Sequence, residues 1–199
     1  MKKSKKLIYV NIISLLIFIL LLISVRFSSI FTSINSFVNS LMVSIQNNFF
    51  TSFSKVIGII FDTNLMIIFS LIIVAWLFAR SSKKESIIFG SVMLTDAILL
   101  WIIKKLIVIQ RPLNSLVAET NFAFPSGHTT SAIVFFGLLT YLISRKNSKM
   151  IYSSIFMILL ISFTRLYLNV HWLTDILGGF ALGTFLLTLG IILFKKWQI

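Results

Sequence analysis

Six apolar stretches, separated by short segments that hold most of the charge, leave this chain few folds to choose from. They run over roughly residues 7–25, 65–79, 86–103, 129–143, 150–163 and 173–194. A soluble domain of 199 residues exposes too much surface to cover it with 12% charged side chains against 58% hydrophobic ones. Mean hydropathy, +1.02, says the same. The expectation is an all-α polytopic membrane protein with six transmembrane helices. Several stretches fall short of the ~20 residues that a bilayer-crossing helix needs, so their helices must extend into the flanking residues. The first stretch carries a signal-like basic head, Lys2, Lys3, Lys5 and Lys6, but its apolar core is 19 residues long and no small-x-small cleavage site follows. It reads as an uncleaved first span.

The net charge of +13 does not point to nucleic acid. Its cations come in small groups between apolar runs, not interleaved with polar and aromatic residues over one face. With the N-terminus inside, the inner segments hold Lys2, Lys3, Lys5, Lys6, Arg80, Lys83, Lys84, Arg145, Lys146, Lys149, Lys195 and Lys196, twelve of the 18 basic residues. The outer segments hold Arg26, Lys55, Lys104, Lys105, Arg111 and Arg165. The positive-inside rule then places both termini in the cytoplasm. No cysteine is present, which excludes disulfides, thiolate metal sites and a cysteine nucleophile.

Residues 26–61 are too polar to cross as one helix. Phe27, Ile30, Phe31, Ile34, Phe37, Val38, Leu41, Met42 and Ile45 recur at three- and four-residue spacing, which predicts an amphipathic helix in the outer interface between the first two spans. Asp62, Thr63 and Asn64 predict the cap of the second span. Gly178, Gly179 and Gly183 predict close helix packing in the last. No repeat or linker divides the chain, so 1–199 reads as one membrane-embedded domain.

Three polar clusters fall on the outer side. His171 and Asp175 are four apart, one turn along the last helix, where the carboxylate can take the Nδ1 proton and leave Nε2 free as a nucleophile. Arg165, six residues earlier, offers a planar fork of donors to phosphate oxygens. Pro125-Ser126-Gly127 opens the fourth span, so its free N–H groups and helix dipole favour an anion that Gly127 lets approach closely. His128 on the first turn would face that anion and suits proton transfer. Lys104 and Arg111 are seven apart, about 10 Å if helical, and Pro112 then ends the helix. Together with Arg165 they make a cationic cage able to neutralise a phosphoryl group without a metal or other cofactor.

The run Lys104-x6-Arg111-Pro112, Pro125-Ser126-Gly127-His128 and Thr164-Arg165-x5-His171-x3-Asp175 resembles the type 2 phosphatidic acid phosphatase family, which shares its core with vanadium haloperoxidases. The family's pattern has Ser where this chain has Thr164; the hydroxyl is kept. The resemblance implies a phosphoryl-accepting His171 oriented by Asp175 and an acid–base His128. It also implies a phosphate site of Lys104, Arg111, Ser126, Gly127 and Arg165. The expected activity is hydrolysis of a lipid phosphate or diphosphate at the outer membrane face through a phosphohistidine. Undecaprenyl diphosphate is the expected substrate, with phosphatidylglycerol phosphate and phosphatidic acid open beside it.

Competing readings are a lipid phosphotransferase with the same motifs, an inactive family member, and an anion channel lined by Lys104, Arg111 and Arg165. A haloperoxidase is expected to be soluble, which six spans oppose. Arg26, Lys55 and Lys105 read as snorkelling cations. Asp96 lies too deep for an outer phosphate and reads as a hydrogen bond or ion pair between helices. Glu119 and Asn121 read as solvated loop residues, and Phe122, Phe124 and Trp172 as interface anchors.

Overall fold

The computed structural model describes residues 2–144 and 147–197. Arg145 and Lys146, two of the cations counted to the inner side, lie outside the described residues. Every regular element among those described is helical: α1 (Lys2–Phe27), α2 (Thr32–Ser44), α3 (Asn48–Ile60), α4 (Thr63–Ala79), α5 (Lys83–Ile107), α6 (Gly127–Ser144), α7 (Ser148–Tyr167) and α8 (Leu173–Trp197).

All six apolar stretches became helices, but not all are long enough to cross a bilayer alone. Among the described residues, four helices are: α1 from Lys5, α5, α7 and α8. The pair α3 and α4, bent by 50°, makes a fifth if counted as one broken span. The expected second span, α4, has 17 residues and reaches only about 26 Å, against a hydrocarbon core of about 30 Å. The expected fourth span, α6, is apolar over Gly127–Ile143 and likewise short.

The segment between the first two long runs also differs from expectation. In place of one helix over 27–45, α1 continues through Phe27, a turn follows, and α2 begins at Thr32. A second helix, α3, was not expected at all. Asn47 starts it by accepting a hydrogen bond from Phe50 N at 3.0 Å, an N-cap that ends the apolar periodicity followed from Phe27. The Tyr167 hydroxyl fixes this corner to α7, accepting from Asn47 N at 2.8 Å. Asp62 caps α4 as expected, its Oδ2 accepting from Asn64 N at 3.0 Å.

The core gathers around α8, which packs on α1, α5 and α6. Phe89, Val134, Leu138, Leu186 and Phe194 fill it. The glycines of α8 do what their spacing predicts. A Cβ on Gly179 would lie 3.0 Å from Ser126 O, and one on Gly183 2.9 Å from Ile133 Cβ and 3.0 Å from Thr130 O. The backbone of α8 thus lies directly against α6, which fixes the depth at which α6 begins. Phe124 is no interface anchor. It is fully buried, stacked on Phe18 at 5.8 Å, and occupies the space a Cβ on Gly178 would need. Asp96 is a helix-to-helix bond, accepting from Ser131 Oγ at 2.6 Å.

Because Gly183 faces α6 backbone, which cannot move aside, Gly183→Val should cost about 1–3 kcal/mol. A lowered melting temperature of the detergent-purified protein checks this. An unchanged one would mean that α6 and α8 are not packed as described.

Candidate active site

His171 lies two residues before α8, not on it, because the helix begins only at Leu173. The pairing with Asp175 nevertheless forms. Asp175, fully buried in the first turn of α8, folds its Oδ2 back to accept from Trp172 N at 2.8 Å and to meet His171 Nδ1 at 3.2 Å. One carboxylate oxygen therefore caps the helix and holds the imidazole.

The same residue reaches the second motif. Its backbone oxygen accepts from Ser126 N at 3.0 Å, so the Pro-Ser-Gly-His corner hangs on the start of α8. His128, on the first turn of α6, donates from Nε2 to Gly58 O of α3 at 3.1 Å.

Arg111 is not on a helix face shared with Lys104. Val108 adopts a left-handed conformation (φ 53°) that ends α5 three residues before Arg111 and four before Pro112. The loop that follows brings Arg111 over the site. Its Nη1 donates to Val170 O at 2.6 Å and lies 3.3 Å from His171 Nε2. A guanidinium can only donate, so His171 Nε2 is the acceptor and carries no proton. The Nδ1 proton then faces Asp175, and the Nε2 lone pair points to Arg111. That is the nucleophilic tautomer the spacing predicted.

Asn121 is exposed in the loop, as expected, but it also holds Arg111. Its backbone oxygen accepts from Arg111 Nε at 2.9 Å and its side-chain oxygen from Arg111 Nη2, while Glu119 stands 3.7 Å from the same nitrogen. Trp172 likewise does more than anchor: its indole N–H donates to Gln110 O at 2.8 Å and holds this loop down.

Lys104 Nζ donates to Phe122 O at 2.5 Å. Arg165 is 2% exposed in the last turn of α7, with Nη2 donating to Ser54 O at 2.9 Å. Its Nε is buried with no partner among the described residues, as is Asp175 Oδ1. Four contributors were not foreseen: Ser54 and Gly58 of α3, Asn121, and buried Asn169, which turns the chain at φ 51° just before His171. An Asn two residues ahead of the motif histidine carried a faint signal of that left-handed turn. The carbonyls of Ser54 and Gly58 carried none.

Burial holds the His171 pKa well below its ordinary value, and Arg111, Lys104, His128 and Arg165 add to this in that order. Burial also lowers Arg111, partly opposed by Glu119 and Asp175, though a guanidinium so shifted stays charged at neutral pH. Arg111 thus faces the imidazole lone pair, and Lys104 and Arg165 lie near enough to disfavour a second proton on the ring. A cleft of about 680 Å³ opens beside His128 and Arg165, lined farther out by Lys55, Asp62, Asn64 and Glu119. A smaller one of about 350 Å³ runs past Lys104 along Leu100 and Trp101.

The model of the PAP2 superfamily matches residues 87–199, which include all eight motif residues. The chain belongs to the PAP2 superfamily. It is 38% identical over 100 residues to phosphatidylglycerophosphatase B of Bacillus subtilis (strain 168), a match covering 46% of this chain and 49% of that protein. The chain thus spans about half the length of the curated relative it matches. Its fold is also similar to the crystal structure of the first transmembrane PAP2-type phosphatidylglycerolphosphate phosphatase from Bacillus subtilis. There the TM-score is 0.83 and the identity 26%, over 96% of each chain.

His171 titration can be followed directly, since the chain has two histidines. Its midpoint should fall below about 6.5, the ordinary histidine value. The unfolded chain then takes up a proton that the folded site refuses. Stability therefore falls as pH drops through the unfolded value and levels off below the folded one. Imidazole chemical shifts against pH check this. A His171 midpoint at or above 6.5 would contradict the cationic, desolvated setting.

Proposed function

We propose that this chain is a multi-pass membrane enzyme that hydrolyses a lipid phosphate through a phosphohistidine at His171. The observation that carries the reading is the fixed tautomer: Asp175 behind Nδ1, Arg111 before Nε2. A channel lined by cations has no use for that arrangement.

In this reading the substrate phosphate takes the place between Lys104, Arg111 and Arg165, with Ser126 and Gly127 at the entry of α6. His171 Nε2 attacks phosphorus and the bond to the lipid oxygen breaks. His128 gives that oxygen a proton. Asp175 stabilises the imidazolium that forms, and the three cations hold the charge developing on the equatorial oxygens. Water then attacks the phosphohistidine, His128 recovers a proton from it, the N–P bond breaks, and inorganic phosphate leaves. No step draws on a metal.

The whole chain is taken as one domain crossing the membrane six times, with α4 and α6 completing their crossings through flanking residues. The charge asymmetry supports cytoplasmic termini and a site on the extracytoplasmic face of the cell membrane. There a lipid enters sideways and presents its headgroup.

Among lipids, phosphatidylglycerol phosphate fits best, in line with what the two relatives are named for. The leaving group lies on the His128 side, where beyond Arg165 the cleft presents Asp62 and Glu119 together with Lys55. A glycerol hydroxyl can donate to those carboxylates. The second phosphate of undecaprenyl diphosphate would be repelled by them. Undecaprenyl diphosphate stays as the second reading, because the outward site suits a carrier released there.

Phosphate release by purified protein from vesicles of each lipid, with chelator present, tests this. We expect activity to survive chelation and to fall by on the order of 10⁴-fold or more in His171→Ala. Phosphatidylglycerol phosphate should be cleaved fastest, with Glu119→Gln narrowing its lead over the diphosphate. Release from no lipid would overturn the hydrolase, and loss on chelation the metal-free route.

A further inference from the structure

We infer that Gly58 of α3 is a positioning residue for the phosphate site, seating Arg165 where it has no Cβ and orienting His128 through its carbonyl. The inference rests on the hydrolase reading for the roles of those two side chains, but not for the geometry.

Both contacts come from one residue. The His128 ring donates from Nε2 to Gly58 O at 3.1 Å. On the other side of the same Cα, the Arg165 guanidinium fills the space of the missing side chain. A Cβ there would lie 2.5 Å from Nη1 and 2.7 Å from Cζ, and closer still to Nη2. One turn earlier, Ser54 O accepts from Arg165 Nη2 at 2.9 Å. The two carbonyls are a turn apart on α3, and Ser54 and Gly58 are its buried residues. This face of α3 is therefore a wall of the site, built from backbone.

The consequences differ for the two partners. His171 takes its tautomer from a carboxylate, which also offsets charge. His128 takes its tautomer from a carbonyl, which fixes the ring without adding charge. With Nε2 committed as donor to Gly58, Nδ1 is the nitrogen left to carry a proton to and from substrate. Arg165 keeps its unpartnered Nε for phosphate only while the Nη1–Nη2 edge of its guanidinium stays seated against Gly58.

A methyl group at position 58 meets the far end of one side chain, not backbone. It can be relieved by moving the guanidinium, so the fold should tolerate it while the site should not. That separates a positioning role from a structural one.

The test is a set of variants measured for melting temperature, inorganic phosphate binding and kcat/KM. Gly58→Ala should melt within a few degrees of the parent, bind inorganic phosphate at least tenfold more weakly, and lose on the order of 100-fold in kcat/KM. Gly90→Ala in α5 should leave all three unchanged, since its added methyl group would touch only Val74 Cγ2 at 3.2 Å. In an Arg165→Lys background, with no fork to displace, Gly58→Ala should cost no more than about threefold beyond Arg165→Lys alone. Additive losses in that pair, or unchanged phosphate binding in Gly58→Ala, would overturn the proposal.

A measurement on the parent protein keeps it exposed even if the variants fail to fold. Imidazole 15N shifts, assigned against the His171→Ala spectrum, should show the Nε2–H tautomer at His128 and the Nδ1–H tautomer at His171. An Nδ1–H tautomer at His128 would contradict the Gly58 contact. Neither tautomer nor phosphate binding needs turnover, so failure here is distinct from failure of the hydrolase reading.

Discussion

The buried carboxylate of Asp175 is the interaction on which the rest of the site depends. One oxygen closes the first turn of α8 through Trp172 N and holds His171 by Nδ1. The residue's carbonyl holds Ser126 and with it the entry of α6. Two motifs 45 residues apart, counted from Ser126 to His171, are thereby set against each other by a single side chain and its own backbone. Glycines on the next turns of α8 let α6 come close enough for this to happen. Helix packing and catalytic geometry are one construction here.

Around that point the protein concentrates positive charge in a place that disfavours it. Lys104, Arg111 and Arg165 are each held by backbone carbonyls: Phe122, Asn121 and Val170, and Ser54. Carbonyl dipoles fix a cation without neutralising it. A buried carboxylate partner for each would have been cheaper electrostatically, but would have filled the sites that an incoming phosphate must occupy. The acids near them are Asp175, engaged with His171 and Trp172, Glu119, at 3.7 Å from Arg111, and Asp62, which shares a cleft with Arg165. In the proposed reading substrate phosphate is the counter-ion to these cations, which puts its binding energy where charge develops in the transition state.

The sequence revealed much of this, and the failures are instructive. Side-chain chemistry at fixed spacing was legible: His171 with Asp175, the Ser-Gly-His corner on a helix start, and the three cations. What was misread is where helices stop. Lys104 and Arg111 were expected on one helix face, but Val108 turns the chain early, a β-branched residue in a conformation that its type disfavours. His171 was expected on α8 and lies before it, because Asp175 caps the helix at the residue after His171. Phe124 was assigned to the interface by its aromatic character and is core; Asn121 is exposed as read, but its grip on Arg111 was not foreseen. α3 was invisible as part of the site because it contributes carbonyls and an absent Cβ, neither of which a residue type announces. Membrane crossings are harder to count than helices: apolar runs mark helices well, but α4 and α6 are shorter than a bilayer is thick.

The central claim is that His171 Nε2 takes the phosphoryl group. Rapid quench of the protein with phosphorus-labelled lipid phosphate, followed by peptide mapping in base, tests it most directly. Acid-labile, base-stable label should appear on His171 and accumulate in His128→Ala, where the water step lacks its base. Label on another residue, or turnover with no protein-bound phosphorus in either form, would contradict the account.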